Sequence, residues 1–195
     1  MTHADFLALI RQNPINAAIL DRMPSLDLTD AWLVSGSLFQ AAWNSLTGRP
    51  LSHGVKDYDI FYFDPNTSWE AEDAQIKRVG KVFADLGADI ELRNQARVHL
   101  WYKHHFGDID YPPLMTSCEG IDRFLAIACK VGVSLDGRER IYAPDGLEDI
   151  YNLHLRPNPC ANFSAEHYAT KTARWLENWP ELTVEPADLP SGLSG

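Results

Sequence analysis

The sequence contains few cysteines, and none of them lie close together. Cys118, Cys129 and Cys160 are widely spaced, and no CxxC pair occurs. This excludes a complete disulfide framework and argues against a cysteine-ligated zinc site. It is typical of reduced thiols in a cytoplasmic protein. The sequence also lacks a run of about 18 apolar residues and a basic start followed by an apolar stretch, so we expect no membrane span and no signal peptide.

Positive charge is scarce as well. Seventeen Lys and Arg residues stand against 27 Asp and Glu residues, which gives a formal net charge of -10. Proteins that bind long nucleic acids usually carry a basic domain or stripe, and anionic membrane surfaces attract basic segments. Long nucleic acids and membranes are therefore not expected partners.

Several motifs of well-known enzyme classes are missing. The chain has no GxGxxG, no GxxxxGK[ST], no GxSxG and no HExxH. These absences argue against a dinucleotide-binding fold, a P-loop, a nucleophile elbow and a zinc-peptidase helix.

What the sequence does contain is typical of one ordinary folded domain. It has 195 residues, of which 45 % are hydrophobic, enough for one core. Strand-like and helical segments alternate, which predicts an α/β (α+β) fold with a mixed β-sheet flanked by helices. We expect a single domain over residues 1–185, with a core at about 31–158, a helical part at 159–180 and a loose tail at 186–195.

Hydrophobic periodicity places the individual elements. We expect a helix at Cys118–Cys129 and a hairpin turn at Asp136-Gly137. Val131–Leu135 and Arg140–Tyr142 are the predicted strands on either side of that turn. Four further runs are predicted to be strands: Ala31–Val34, Asp57–Phe63, Ile90–Arg93 and Arg97–Lys103, of which the last two are joined by Asn94-Gln95-Ala96 as a hairpin.

Three features within this frame carry possible chemistry, and the first is the turn Gly36-Ser37 between a strand and a helix. A glycine there allows close backbone approach, and a helix N-terminus suits a phosphate. An ordinary structural turn is the alternative.

The second feature is Asp57-Tyr58-Asp59. Residues i and i+2 of a strand point the same way, and two carboxylates on one face of an aromatic strand are costly unless a cation lies between them. Mg²⁺ takes one or two carboxylates together with phosphate oxygens. The alternative places Asp57 in the preceding loop and Asp59 at a solvated edge.

The third feature is Glu91, a single acid between apolar neighbours in another strand. It is either a third acid of the same site or a solvent-facing strand residue. Among the cations, Arg97 shares a strand face with His99 and could pair bidentately with phosphate oxygens. Lys56 either approaches phosphates or forms a local ion pair.

In this order, the three features resemble the nucleotidyltransferase superfamily typified by DNA polymerase β. More closely, the chain is similar to a family of small, mainly bacterial nucleotidyltransferase-like proteins. The segments that carry this resemblance run from about residue 32 to 158: LVSGSLFQAAWNSLTG, GVKDYDIFYFD, IELRNQARVHLWY and IYAPDGLEDIYNLHLRPNP.

The resemblance implies a nucleotidyltransferase that uses Mg²⁺ or Mn²⁺ and a nucleoside triphosphate. Gly36 and Ser37 would hold the β- and γ-phosphates, Asp57 and Asp59 would bind two metal ions, and Glu91 would complete the site. A glutamate in the third position departs from the commoner aspartate. The acceptor would be a small molecule or a protein; the alternative is a non-catalytic nucleotide- or metal-binding regulatory protein of the same fold. The catalytic hypothesis requires the three carboxylates to converge on one point.

Overall fold

The computed structural model describes residues 2–107 and 109–187 as a mixed sheet with helices packed around it. The helices are α1 (His3–Ile10), α2 (Pro14–Arg22), α3 (Gly36–Leu46), α4 (Trp69–Val82), α5 (Val98–Phe106), α6 (Ser117–Ile121), α7 (Glu148–Tyr151) and α8 (Ala165–Asn178). The strands are β1 (Trp32–Val34), β2 (Asp57–Tyr62), β3 (Asp89–Asn94), β4 (Gly132–Leu135), β5 (Glu139–Tyr142), β6 (His154–Leu155) and β7 (Thr183–Val184).

The main sheet has five strands in the order β3-β2-β1-β4-β5. Strands β2 and β3 are parallel, and the other neighbouring pairs are antiparallel. A parallel pair needs a crossover connection, which α4 provides here. Strands β6 and β7 form a separate parallel pair. The predicted α/β class, with a mixed sheet flanked by helices, is confirmed.

The two faces of the sheet differ. Leu33, Ile60 and Leu92 point into the main core, where they join residues of α1 to α4. Because successive strand residues face opposite ways, their neighbours point to the second face. On that face Trp32 and Val34 pack against Ile121 of α6, so part of the face is covered and the end of β2 that carries the acids stays accessible.

An aromatic cluster docks α8 against α3. Trp43 of α3 contacts Trp175 of α8 edge to face at 6.1 Å, and Trp179 at 5.3 Å. The indole N–H of Trp179 donates to Asn44 Oδ1 at 2.8 Å. These contacts hold the last helix of the described chain beside the N-terminal half of the sheet.

The expected strand at Arg97–Lys103 is wrong, because the chain turns into a helix there. The Asn94 side chain accepts a hydrogen bond from the Ala96 N–H at 3.1 Å, and a single 3-10 turn over Gln95–Arg97 leads into α5. Val98 of α5 then packs against Tyr111 and Leu114. Asn94-Gln95-Ala96 is therefore a helix entry and not a hairpin.

The expected helix at Cys118–Cys129 is much shorter than predicted. Only Ser117–Ile121 is α-helical. The Asn158 side chain donates to the carbonyls of Asp122 and Phe124 at 2.8 and 2.7 Å, and its N–H donates to the Leu125 carbonyl. Those carbonyls are thus bound by a distant segment instead of by a continuing helix.

The remaining predicted elements are confirmed. The strands that begin near residues 31, 57 and 90 correspond to β1, β2 and β3, and the turn Asp136-Gly137 joins β4 to β5. The three cysteines are free. Within residues 2–107 and 109–187, no helix is long and apolar enough to cross a membrane. The predicted tail lies outside the described residues from position 188 onward.

Candidate active site

The turn between β1 and α3 forms one wall of a small cavity. Ser35 caps α3 with a positive φ of 54°, a conformation that is costly for a residue with a side chain. Its N–H donates to the Val131 carbonyl at 2.8 Å, and its carbonyl accepts from the Leu38 N–H at 2.9 Å. These bonds hold the first turn of α3 towards the carboxylates of β2.

The two residues of the predicted Gly-Ser turn differ in their positions. Gly36 lines the cavity, and a Cβ there would meet only Gln40 Nε2, at 3.6 Å. Ser37 is buried, and its Oγ has no hydrogen-bond partner among the described residues. The side chain of Ser37 therefore does not reach the cavity, and Ser35 lines it instead.

Asp57 and Asp59 lie on one face of β2 and both line this cavity. Asp57 is exposed and Asp59 is half-buried. In the part of the chain that the structure describes, neither carboxylate has a hydrogen bond or an ion pair. Two adjacent acids without partners form an electrostatically unfavourable pair unless a cation joins them.

The pKa of Asp59 reflects this environment. Desolvation raises it most, the nearby carboxylates of Asp57 and Glu91 raise it further, and the cations of Arg93 and Lys171 lower it; the result is a pKa of about 7. A carboxyl group with so high a pKa in a cleft is typical of a functional site.

Glu91 occupies the position in β3 directly opposite Asp59, so it faces the same side of the sheet. Its carboxylate forms a 2.7 Å ion pair with Arg93, two residues along the strand. Within the described residues, no group of three or more His, Cys, Asp or Glu side chains is arranged to hold a metal ion. The described residues therefore do not show the required convergence of three carboxylates: Asp57 and Asp59 line one cavity, whereas Glu91 does not line it and is paired with Arg93.

The donor set fits a divalent cation held by Asp57 and Asp59. Mg²⁺ is bound in proteins through one or two carboxylates, with water and substrate phosphates filling its other positions. Two carboxylates without protein partners, one of them desolvated, match that requirement. Glu91 could contribute only after leaving Arg93.

Two cations that the sequence analysis missed complete the cavity. Lys171 and Arg174 of α8 line it together with Gly36 and the aspartates. Neither cation has an ion-pair partner among the described residues. They are spaced i and i+3 on α8, beside the buried Tyr168 and Trp175, and that spacing next to an apolar stripe is the sequence signal that could have found them. We call this cavity of about 130 Å³ the acid pocket.

The two predicted phosphate-binding cations lie elsewhere. Lys56 is exposed at the rim, where it lines a crevice with Asp57 and Arg174. Arg97 is buried, pairs with Glu72 and donates to the Thr67 carbonyl at 2.9 Å. Because its Nε and Nη1 donors are engaged and it does not line the acid pocket, the structure does not place Arg97 at the site.

A second cavity of about 410 Å³ adjoins the acid pocket, and we call it the aromatic pocket. The two share Phe124, Leu125, Lys171 and Arg174. Its other lining residues are mostly aromatic or cationic and include Phe61, Arg93, Trp101, Tyr102, Phe106, Tyr111, Arg123, Asn162 and His167. The site therefore combines two carboxylates and two cationic side chains with a larger cavity lined mainly by aromatic and cationic residues.

The chain is similar to known proteins in both sequence and structure. A family model described as "Nucleotidyltransferase" matches residues 21–184. An NMR structure described as revealing a CCA-adding enzyme head domain is similar, with 27 % sequence identity and a TM-score of 0.76 over 95 % of this chain and 97 % of that chain. No match was found among curated proteins. The family match spans β1 to β3 and α8, and so includes the residues of the acid pocket.

Proposed function

Because the chain belongs to the nucleotidyltransferase family, we propose that it transfers a nucleoside monophosphate from a nucleoside triphosphate to an acceptor. The observation that carries this proposal is the acid pocket itself. Asp57, Asp59, Lys171 and Arg174 line one cavity together with Gly36 at the start of α3. Acids that suit a cation and cations that suit a phosphate, in one cleft, match a triphosphate-metal complex.

Each half of the pocket has its own role in this proposal. The backbone N–H groups at the start of α3 and the side chains of Lys171 and Arg174 bind the β- and γ-phosphates. Asp57 and Asp59 would hold Mg²⁺ or Mn²⁺, which would neutralise the charge that develops on the phosphates during transfer. Positioning and charge neutralisation supply most of the rate enhancement in such a site.

Glu91 has a conditional role. Once separated from Arg93, its carboxylate lies opposite Asp59 on the neighbouring strand and can accept the proton of an attacking hydroxyl. Arg93, once released, can pair with a phosphate oxygen. We propose that substrate binding exchanges the pairing between Glu91 and Arg93 for these two contacts.

The same ion pair also favours a second candidate function. A carboxylate that stays bound to Arg93 leaves the site with two acids, which suffices for holding a nucleotide and a metal without turnover. A non-catalytic regulatory protein that binds nucleotide or metal is therefore the alternative.

Incubation of the purified protein with each α-labelled nucleoside triphosphate, Mg²⁺ or Mn²⁺ and a cell extract tests transfer. We expect a labelled product, and a loss of labelling by about 100-fold or more in Asp59→Asn and in Asp57→Asn, because each removes half of the metal site. The matched control is Asp136→Asn in the turn between β4 and β5, which should label as the original protein does. Equal labelling by Asp59→Asn contradicts the proposal, and tight nucleotide binding with no product supports the regulatory alternative.

A further inference from the structure

The aromatic pocket lies on the opposite side of Asp59 from the start of α3. Val34 pairs with Asp59 in antiparallel register, so the chain leaving β1 through Ser35 and Gly36 runs towards Asp57. Phe61 and Arg93 lie in the other direction along β2 and β3 and line the aromatic pocket. The two cavities are thus arranged in a row, with the aspartates at their junction.

This arrangement assigns the pockets to the two ends of the reaction, given the proposed function. In an in-line displacement the attacking oxygen approaches phosphorus from the side opposite the leaving group. The leaving pyrophosphate lies at the start of α3, so the attacking oxygen must approach from the direction of Phe61 and Arg93. We propose that the aromatic pocket binds the acceptor, a small molecule that carries an aromatic ring and an anionic group.

The walls of the pocket argue for a flat ring. Tyr102 stacks on Tyr111 with 4.2 Å between ring centroids, and Trp101 lies 6.2 Å from Tyr102. Aromatic side chains gain free energy from stacked and edge-to-face contacts with another ring. A volume of about 410 Å³ is within the usual range for small-molecule sites.

Arg123 argues for the anionic group. Its guanidinium lies 5.9 Å from the centroid of the Tyr111 ring, and it has no acidic partner among the residues that the structure describes. The Asn162 side chain donates to the Arg123 carbonyl at 3.1 Å and to the Tyr102 hydroxyl at 2.9 Å, which ties the Arg123 backbone to the Tyr102 ring. In a chain of net charge -10, an arginine left without an acid inside a cavity is well suited to a ligand's anion.

The transfer step balances with this acceptor. An acceptor oxygen forms a bond to the α-phosphorus, and the bond from that phosphorus to the β-phosphate oxygen breaks. Pyrophosphate leaves with the bonding electron pair. Where the attacking group is a hydroxyl, its proton passes to the Glu91 carboxylate.

Three related probes test the binding assignment in ligand-detected NMR titrations of the full chain. They are 4-hydroxyphenylacetate, its neutral analogue tyrosol, and 4-hydroxycyclohexylacetate, which keeps the charge but loses the ring. We expect the aromatic anion to bind at least about ten-fold more tightly than either analogue.

Paired variants locate the binding. Trp101→Leu and Arg123→Gln should each weaken binding of 4-hydroxyphenylacetate by about ten-fold. The matched controls are Trp69→Leu and Arg138→Gln, which remove an exposed tryptophan and an exposed arginine outside the pocket. Equal binding of the three probes, or an equal loss in the control variants, overturns the proposal.

Two further outcomes separate this proposal from the proposed function. If adenosine or guanosine displaces the probe, the assignment of a small aromatic acceptor is overturned. Labelling of a protein acceptor that depends on Trp101 overturns it as well. Both results leave the proposed nucleotide transfer intact. Probe binding that depends on Trp101 and Arg123 supports the pocket assignment, and with no labelled product from any triphosphate it overturns the transfer function alone.

Discussion

Asp59 is partly buried and has two acidic neighbours, so its carboxylate is costly to keep ionised. Its pKa is raised to about 7, so the folded protein holds this proton over a pH range in which the unfolded chain has released it. The contribution of Asp59 to stability therefore falls as pH rises from about 4 to about 7. A cation bound between the carboxylates would offset that cost. Asp59 therefore lowers the stability of the metal-free protein and would strengthen its affinity for the cation.

We predict that Asp59→Asn stabilises the protein at pH 8 and does so much less at pH 4. Each pKa unit corresponds to about 1.4 kcal/mol, and because Asp59 is only partly buried we expect a gain on the order of 1–3 kcal/mol at pH 8. Thermal unfolding at the two pH values measures it. Mg²⁺ should raise the unfolding temperature of the original protein at pH 8 and leave that of the variant unchanged. A pH-independent effect of the substitution would contradict the raised pKa.

A buried ion pair joins α4 to the 3-10 turn that follows β3, and Arg97 is the last residue of that turn. Glu72 of α4 pairs with Arg97 and accepts the Asn94 N–H at 2.9 Å. Arg97 also lies over the Trp69 ring, 5.5 Å from its centroid. The pair closes the crossover between the two parallel strands and so holds Glu91 opposite Asp59.

We predict that Arg97→Met lowers the free energy of unfolding by about 3 kcal/mol or more, because it leaves the Glu72 carboxylate buried without its partner. Urea unfolding measures this change, and nucleotide affinity should remain within about two-fold of the original. The control is Lys77→Met, which breaks the exposed pair with Asp73 and should cost less than about 1 kcal/mol. A loss of nucleotide affinity without a loss of stability would instead support the phosphate-binding role first expected for Arg97.

The same elements explain what the sequence could and could not predict. Strand β2 was predictable because its aromatic and β-branched residues and its two aspartates follow a local pattern that needs no knowledge of the rest of the chain. Helix α5 could not be predicted in this way, because Val-His-Leu-Trp-Tyr favours a strand locally. The turn made by Asn94 overrides that local preference. The pairing of Arg97 with Glu72 depends on residues from two separate elements, which local periodicity cannot show.

The site was predictable to a similar extent. The spacing of Asp57 and Asp59 indicates a shared strand face, and Glu91 was a candidate third acid from another strand; β3 places Glu91 directly opposite Asp59. Lys171 and Arg174 come from a helix far along the chain, and only its docking against α3 brings them to the acids. The Glu91–Arg93 ion pair was also missed, although the two residues are neighbours on one strand face and their spacing alone permits it.

At the scale of the whole molecule, the acid pocket depends on how closely α8 approaches the N-terminal half. Gly54 allows this approach, since a Cβ there would lie 2.5 Å from the Trp179 ring, and its φ is +69°. The loop before β2 and the end of α8 are therefore in direct contact.

We predict that Gly54→Ala lowers stability and weakens binding of a nucleoside triphosphate by about ten-fold, because displacement of Trp179 moves Lys171 and Arg174 away from the aspartates. Gly48→Ala is the matched control, since Gly48 has the same φ of +69° with no atom within 4 Å of an added Cβ. Unfolding and nucleotide titration of both variants separate backbone strain from the steric effect. Equal losses in the two would show that α8 docking does not control the site.

The contact between α8 and α3 also affects when the site can form during translation. Chains are synthesised from the N-terminus at about 5–20 residues per second, so the aspartates of β2 leave the ribosome well before Lys171 and Arg174. A nascent chain that has folded its sheet already presents Asp57 and Asp59 but lacks the two cations of the opposite wall. The proposed nucleotide binding uses both walls of the acid pocket, so we expect it to begin only after α8 has been synthesised and has docked.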